Sequence, residues 1–362
     1  MASWKKLSGE KNWEGLLKPL NSDLSSYIKL YGERVQAVYG SVNPEDETRP
    51  AYQKEDLFSK VFMETDKFGK LYTVTDFFYA MSDVASLFDS IVKDQSAWFG
   101  YVAVATDEGK NVLGRRDILI CWRGTLSLSE WFKNAQFDQT SASNIFGNTH
   151  DPQVHRGFLS IYTSPNTEPS SNKLSARDQV LNAVKILVNK FEYRNEEISI
   201  TVAGHSLGAA LATLNATDIV ANKFNKRTRS NKTCIVTAFV FASPKVGNEG
   251  FRNIFNGLSN LHLLRIENRL DIVTDLPPSE ISYRKVGMKL RIKSHKSALL
   301  NLTDGLQLHD IIPQSHNMKE YLQGVTNKSV KSSLGNRAIA RKSQLGQPRS
   351  KLYLMRGLKH KK

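Results

Sequence analysis

The apolar residues of this chain form short continuous runs separated by stretches of helical spacing. Continuous apolar runs bounded by polar or glycine-containing turns predict buried strands. Helical spacing, with apolar residues three and four positions apart, occurs at Leu16 to Tyr39 and most clearly at Leu174 to Tyr193, where Ser175 and Asp178 form a capping pattern. Because strands alternate with helices, the sequence predicts an α/β fold with a mostly parallel central sheet. The predicted strands are Trp98 to Thr106, Asp117 to Trp122, Ile198 to Ala203, Thr233 to Ala242 and Leu261 to Ile266.

The same patterns divide the chain into parts. Residues 1–95 are predicted to be mostly helical, and a turn at Asp107-Glu-Gly109 is predicted to join the first two strands as a hairpin. Residues 140–152 are polar, rich in Gly, Asn and Ser, and suit a mobile loop. We predict a single α/β domain over residues 1–325, followed by a basic tail at 326–362.

Gly204-His-Ser-Leu-Gly208 lies between a predicted strand and the next predicted helix. This pentapeptide fits the G-x-S-x-G pattern, in which a sharp strand-to-helix turn raises a serine hydroxyl above the sheet. There a histidine can accept the hydroxyl proton, and N–H groups at the start of the helix can bind an oxyanion. Glycines on both sides remove side chains that would collide where the helix folds back over the strand. The pattern predicts that Ser206 is a catalytic nucleophile.

An acid should follow the serine along the chain, because a triad on this architecture runs Ser, then Asp or Glu, then His. Asp271 lies five residues beyond the predicted strand that ends at Ile266, and Asp275 is a rival close behind it. Asp218 is on the serine's own helix, about three turns away, and cannot reach a shared histidine. Asp271 is the predicted acid.

The choice of histidine stays open on the residues alone. The histidines after Asp271 are His295, His309, His316 and His360. A basic cluster surrounds His295 and would disfavour the imidazolium formed during catalysis. His316 opens a helical run and would stand on a loop over the end of the sheet, but an ordinary surface histidine is an equal alternative.

An oxyanion hole needs two donors. One is the N–H of the residue after the nucleophile, here Leu207, and the other comes from a loop after a neighbouring strand. Trp122-Arg-Gly-Thr125 follows a predicted buried strand, and its glycine permits close backbone approach. We therefore predict Thr125 as the second donor.

Charge, cysteine content and apolar runs indicate the compartment of this chain and whether it binds a metal or cofactor. The net charge of the whole chain is +15. Eleven Lys or Arg and no Asp or Glu follow position 326, so the residues before that position carry a net charge of only +4. Cys121 and Cys234 are predicted to flank the serine strand about 9–10 Å apart, too far for a disulfide. No apolar run reaches eighteen residues and no signal core is present, so we expect a cytosolic chain. No metal-ligand spacing occurs, so we expect neither a metal nor a cofactor.

These residues, with further motifs in the same order, resemble the plant class II phospholipase A1 group. That group belongs to the class 3 (fungal-type) lipases of the α/β-hydrolase fold, and the likeness extends from near the start to about Val325. Besides the serine pentapeptide, the matching pieces are Trp13-Glu-Gly-Leu-Leu-Lys-Pro-Leu20, Trp122-Arg-Gly-Thr125, Val154-His-Arg-Gly-Phe158, Phe241-Ala-Ser-Pro-Lys-Val-Gly-Asn248, Asp271-Ile-Val with Pro277-Pro278, and His316-Asn-Met-Lys-Glu-Tyr-Leu322.

The resemblance implies that Ser206, Asp271 and His316 form a triad, with Thr125 and Leu207 as the oxyanion hole. It also implies that residues 140–152 form a lid and that the substrate is the sn-1 acyl ester of phosphatidylcholine or a related glycerolipid. Two departures stand out. Thr274 replaces a usual proline, which should slightly loosen the Asp271 loop, and the all-basic tail replaces the usual C-terminal segment.

Two other functions stay open. A broader acylglycerol or galactolipid lipase would differ only in pocket shape and head-group contacts. A non-catalytic lipase-like protein that binds lipids or partners would be marked by a missing triad residue, and none is missing here. We expect peripheral contact with membrane surfaces through the lid and the basic tail, although a solvated extension is an alternative for the tail. Nucleic-acid binding is disfavoured, because no motif or interleaved aromatic residues accompany the charge.

Overall fold

A seven-stranded sheet forms the centre of the computed structural model, which describes residues 2–62, 69–81, 96–125, 137–165, 173–228, 230, 232–294 and 315–327. In their order across the sheet, the strands are β1 Tyr72–Ala80, β2 Ala97–Ala105, β3 Arg116–Trp122, β6 Ile198–His205, β7 Ile235–Phe241, β8 Leu261–Asn268 and β9 Met288–Ile292. The first three strands pair antiparallel, and β3, β6, β7, β8 and β9 pair parallel. Two short strands, β4 Gln139–Ser141 and β5 Gln153–His155, form a separate antiparallel pair.

Helices cover both faces of this sheet. The helices are α1 Trp4–Leu7, α2 Ser22–Gly40, α3 Leu57–Val61, α4 Asp107–Leu113, α5 Ser143–Phe146, α6 Arg156–Thr163, α7 Ala176–Val188, α8 Leu207–Ala221 and α9 Glu249–Asn256, followed by α10 at 318–327. On one face, α6, α7 and α8 share a hydrophobic core with the sheet, and on the other face α1, α2, α3 and α10 form a second core. Every residue of β2, β3 and β6 is buried, and polar residues among them bond to one another, as Ser199 and Thr201 do to Asp117.

The predicted mostly parallel sheet and the five predicted strands are confirmed. The predicted helices correspond to α2 and α7, and the side chain of Ser175 accepts the backbone N–H of Asp178 as the capping pattern predicts. Two predictions are wrong. Strand β1 lies within the part expected to be helical, and the short helix α4, capped by Thr106 and ended by Gly114 at φ 75°, replaces the predicted turn.

The segment 140–152 was predicted to be a mobile lid, and the structure does not support that prediction. It is a connection between β4 and β5 that contains α5, and Phe146 packs against the Phe251 ring at 5.6 Å. The amide of Asn222, which follows the last turn of α8, donates to the carbonyl of Ile145. A residue at that end of α8 lies about 24 Å along the helix axis from Ser206. The middle of the segment therefore packs far from the serine rather than over it.

A buried charged cluster attaches the N-terminal helices to the sheet. The carboxylate of Asp117 on β3 accepts hydrogen bonds from Tyr31 of α2, Tyr72 of β1 and two hydroxyls of β6. The guanidinium of Arg115 lies 3.4 Å from the same carboxylate, and both side chains are fully buried. Because unpaired buried charges are costly, this cluster fixes how the N-terminal layer docks on the sheet.

Candidate active site

Ser206 lies at a sharp turn between β6 and α8. Its backbone adopts φ 59° and ψ −125°, a strained conformation for a residue with a side chain. Its N–H donates to the carbonyl of Phe241, which fixes the turn against the end of the neighbouring strand β7. The structure therefore contains the strand-to-helix elbow that the sequence predicts.

The two glycines of the pentapeptide are required by close backbone approach. A Cβ on Gly204 would lie 2.2 Å from the carbonyl oxygen of Gly208, and a Cβ on Gly208 would lie 2.3 Å from the carbonyl oxygen of Trp122. The first contact closes the elbow on itself. The second presses the first turn of α8 against the backbone that leads to Thr125, so the predicted oxyanion segments are adjacent.

Asp271 lies just beyond β8, where it is buried and faces three donors. Its Oδ2 is 2.8 Å from Nδ1 of His316 and accepts the hydroxyl of Tyr321 at 2.6 Å, while its Oδ1 accepts the N–H of Val273 at 3.0 Å. Burial, and then the neighbouring carboxylate, raise the pKa of Tyr321 well above its ordinary value. Tyr321 is therefore protonated at neutral pH and acts as a donor to this carboxylate.

Thr274 tightens the Asp271 loop instead of loosening it. The hydroxyl of Thr274 is buried and donates to the carbonyl of Asp271 at 3.1 Å. A proline at this position could not make that hydrogen bond. The expectation that the replacement loosens the loop is therefore not supported.

His316 joins the acid to the elbow. Its ring is 1% exposed, and while Nδ1 faces Asp271, its Nε2 has no hydrogen-bond partner among the described residues. The ring centroid lies 4.6 Å from that of His205, the residue next to Ser206. The structure thus brings His316 beside the serine elbow with one ring nitrogen left for a further partner.

Three side chains at this site, those of His205, Tyr39 and Tyr321, are not predicted from the sequence as site residues. The Nε2 of His205 lies 2.6 Å from the carbonyl oxygen of His316, and the hydroxyl of Tyr39 lies 2.9 Å from the Nδ1 of His205. Tyr321 belongs to the piece His316-Asn-Met-Lys-Glu-Tyr-Leu322, in which the sequence predicts a role for His316 alone. The tyrosine five positions after His316 was a usable signal, whereas nothing local marks Tyr39, which is 166 residues from its partner.

The two predicted oxyanion donors lie at the same edge of the sheet. Trp122 pairs with Gly204, so the turn that ends at Thr125 leaves the sheet beside the elbow. No side chain caps the first turn of α8, which begins at Leu207. Because the first N–H groups of a helix lack partners within it, the N–H of Leu207 can bind developing negative charge.

The other candidate acids have other partners. Asp275 is largely exposed and pairs with Lys285 at 2.8 Å. Asp218 is buried on α8 but pairs with Arg177 at 2.6 Å and accepts the hydroxyl of Tyr162. These contacts leave Asp271 as the acid that meets a histidine. The candidates His295, His309 and His360 lie outside the described residues.

Both cysteines are buried and unpaired, Cys121 on β3 and Cys234 just before β7, on opposite sides of the serine strand as predicted. Burial raises the pKa of each thiol to about 12, so neither is a thiolate at neutral pH. In the part of the chain that the structure describes, no group of three or more His, Cys, Asp or Glu could hold a metal ion.

A serine on a strand-to-helix elbow and an acid–histidine pair at the same edge of a mostly parallel sheet define an α/β-hydrolase of the ester-hydrolase class. A model of the lipase (class 3) family matches residues 119–281, which include Ser206 and Asp271. Phospholipase A1-IIgamma of Arabidopsis thaliana is 43% identical over 345 residues, 90% of this chain and 80% of that protein. Phospholipase A1-II 6 of Oryza sativa subsp. japonica is 44% identical over 338 residues, 89% of this chain and 80% of that protein. The chain therefore belongs to the plant phospholipase A1-II family of class 3 lipases.

Solved structures confirm the predicted fold. The triacylglyceride lipase of Rhizomucor miehei superposes with a TM-score of 0.51 at 19% identity, covering 84% of this chain and 96% of that chain. The LIP2 lipase of Yarrowia lipolytica gives a TM-score of 0.50 at 20% identity, covering 75% and 81%. At such identities the likeness shows the α/β-hydrolase fold alone.

Proposed function

We propose that this chain is a serine acyl hydrolase that cleaves the sn-1 ester of phospholipids such as phosphatidylcholine to lysophospholipid and free fatty acid. In this proposal Ser206, His316 and Asp271 are the triad. The observation that carries it is the position of His316. Its Nδ1 is 2.8 Å from Asp271, and its buried ring lies against the residue that precedes Ser206.

Acylation begins with the ester carbonyl above the elbow. Nε2 of His316 accepts the hydroxyl proton of Ser206 as Oγ attacks the carbonyl carbon, and Asp271 stabilises the imidazolium through Nδ1. The N–H groups of Leu207 and Thr125 bind the oxyanion; losing one such donor typically costs about 10²–10³ in kcat. The intermediate collapses by breaking the ester C–O bond. The leaving lysophospholipid oxygen takes the proton from Nε2.

Deacylation repeats these steps with water as the nucleophile. Nε2 of His316 removes a proton from the water, whose oxygen attacks the acyl carbon and forms the second tetrahedral intermediate. When that intermediate collapses, Oγ of Ser206 regains a proton from Nε2. The fatty acid leaves, and no net proton or electron is required of any other group.

The relatives support the phospholipid as substrate. Both plant proteins compared above are named as phospholipases A1, and the similarity covers most of this chain. A broader acylglycerol or galactolipid lipase would use the same triad and differ in the contacts of the head group. Phosphatidylcholine with different acyl chains at sn-1 and sn-2 separates these functions: sn-1 fatty acid release supports the proposal, whereas turnover of galactolipid or acylglycerol alone contradicts it.

Covalent labelling separates an enzyme from a non-catalytic lipid-binding protein. A fluorophosphonate probe should label the wild-type chain at Ser206, and Ser206→Ala should lose both labelling and ester hydrolysis while keeping its fold and lipid binding. Activity of the Ser206→Ala variant at a tenth of wild type would contradict the assignment. An unlabelled, inactive but folded wild-type chain would favour the non-catalytic alternative.

We also propose that the chain meets its substrate by peripheral contact with the membrane through its basic tail. Eleven Lys or Arg follow position 326, and each near an anionic surface adds about 1 kcal/mol of binding. Among the described residues, no helix is both long and apolar enough to cross a bilayer. Truncation after the buried Val325 should weaken binding to anionic vesicles at low salt; unchanged binding would contradict this proposal.

A cytosolic location is proposed on the two buried, unpaired cysteines, because free thiols persist in a reducing compartment. A fluorescent fusion of the full chain tests this proposal by imaging. Signal confined to a secretory compartment would contradict it.

A further inference from the structure

The side chain of His205 lies between two partners that belong to different parts of the fold. His205 occupies the variable position before Ser206, where the motif itself requires no particular residue. One ring nitrogen contacts Tyr39 at the end of α2, and the other contacts the backbone carbonyl of His316. The side chain is 5% exposed, so water does not compete freely for either contact.

The hydrogen atoms in this chain of contacts can be assigned. A carbonyl oxygen only accepts, so Nε2 of His205 carries a proton and donates to His316. Burial, and then the neighbouring His316, hold the pKa of His205 well below its ordinary value, so the ring is neutral and its Nδ1 is an acceptor. The hydroxyl of Tyr39 must then donate to Nδ1, and its oxygen also lies close against the backbone of Gly124.

Gly124 shows how closely these groups fit. A Cβ at this position would lie 2.2 Å from the hydroxyl oxygen of Tyr39 and 2.6 Å from the carbonyl oxygen of His205. No larger residue fits there without displacing one of them. Close packing at Gly124 and the two hydrogen bonds of His205 therefore connect the turn that carries Thr125, the elbow that carries Ser206 and the backbone of His316.

We infer that Tyr39 and His205 are positioning residues that hold His316 and the oxyanion turn at a fixed distance from Ser206. This inference rests on the proposed triad. Oriented catalytic groups contribute much of a rate, and a displacement of about 1 Å can cost about 10²-fold. His205 acts through the backbone of His316 and not on the substrate. Its loss should therefore lower kcat for acylation while leaving KM for a small soluble ester unchanged.

Three substitutions separate positioning from general stability. Tyr39→Phe removes the hydroxyl and keeps the ring. His205→Gln places an amide nitrogen near the position of Nε2 and can still donate to the His316 carbonyl, whereas His205→Asn reaches only the position of Nδ1. The matched control is Tyr101→Phe, which removes a buried hydroxyl that donates to the carbonyl of Arg34, more than one turn before Tyr39 on α2.

The measurements are kcat and KM on a soluble short-chain ester, the rate of fluorophosphonate labelling, and Tm. We expect Tyr39→Phe and His205→Gln to lose about 10-fold in kcat and in labelling rate, and His205→Asn about 100-fold, with KM within about twofold. Tyr101→Phe should lower Tm but keep kcat for the folded fraction.

Equal losses in His205→Gln and His205→Asn would overturn the inference, because the bond to His316 would then not matter. Full activity of folded Tyr39→Phe would overturn it as well, and if Tyr39→Phe does not fold, the pair at His205 decides. Failure of the proposed function looks different: the wild-type chain would then be labelled no faster than Ser206→Ala.

Discussion

Replacing Asp271 by asparagine tests the acid of the proposed triad with the smallest possible change. The substitution keeps the size of the side chain and removes its charge and one acceptor. In the structure both oxygens are used: Oδ2 faces His316 and Tyr321, and Oδ1 faces the N–H of Val273. Tyr321 cannot easily reverse its role, because its oxygen already accepts the N–H of Asn268 at 3.2 Å.

Neither orientation of the amide satisfies these donors. If the side-chain amide of Asp271→Asn turns its oxygen toward His316, its nitrogen faces the N–H of Val273. Two donors then oppose each other, at a cost of about 1–3 kcal/mol. With its nitrogen toward His316, the imidazole must carry its proton on Nε2 and cannot accept one from Ser206. We expect kcat to fall about 10³–10⁴-fold, the loss typical of a triad imidazole held in the wrong tautomer. That loss equals about 4–5.5 kcal/mol in activation free energy.

The assay is kcat on a soluble short-chain ester and on phosphatidylcholine, with the fluorophosphonate labelling rate as a second measurement. The matched control is Asp275→Asn, which alters the exposed rival acid in the same loop and should stay within about twofold of wild type. More than a tenth of wild-type activity in folded Asp271→Asn would refute the role of this carboxylate. A large loss in Asp275→Asn alone would move the assignment to the rival.

Two further predictions concern stability. Asp117→Asn should lower the free energy of unfolding by about 3–5 kcal/mol in a urea titration, because Arg115 stays buried without its counter-charge; a loss below about 1 kcal/mol would contradict this. The depressed pKa of His205 means that below about pH 6.5 the unfolded chain binds a proton that the folded chain does not. Folding stability should therefore fall with falling pH, by up to about 1.4 kcal/mol per unit, and less so in His205→Gln. A stability difference between wild type and His205→Gln that is constant from pH 7.5 to 5 would count against this account.

The strands that the sequence predicts share one property. Segments such as Ala97–Ala105 are buried on both faces, so their apolar character is continuous and visible in a few residues. Strand β1 instead lies at the sheet edge, where buried residues such as Tyr72 and Val74 alternate with exposed Thr73. That alternation is typical of a strand. Because residues 1–95 are predicted to be mostly helical, this strand is not predicted from the sequence.

The candidate site also has one part that a short stretch of sequence indicates and another that depends on the tertiary structure. The elbow is encoded within a pentapeptide, because strand, glycine contacts and helix start all lie within a few residues of Ser206. Asp271 follows from chain order and its place after a strand. The partners of Asp271 and the contacts of His205 depend on residues that are far apart in the sequence. Asp271 and His316, for example, are 45 positions apart.

The sequence by itself determined the fold class and the strand-to-helix elbow that carries Ser206, because local periodicity and backbone sterics specify them. Only the tertiary structure decided that His316 is the histidine that meets Asp271, and that residues 142–146 pack beside the far end of the serine's helix. It also decided that Tyr39 reaches the elbow. These are properties of how helices dock on a sheet, and docking follows from the burial of whole faces rather than from any short stretch of residues.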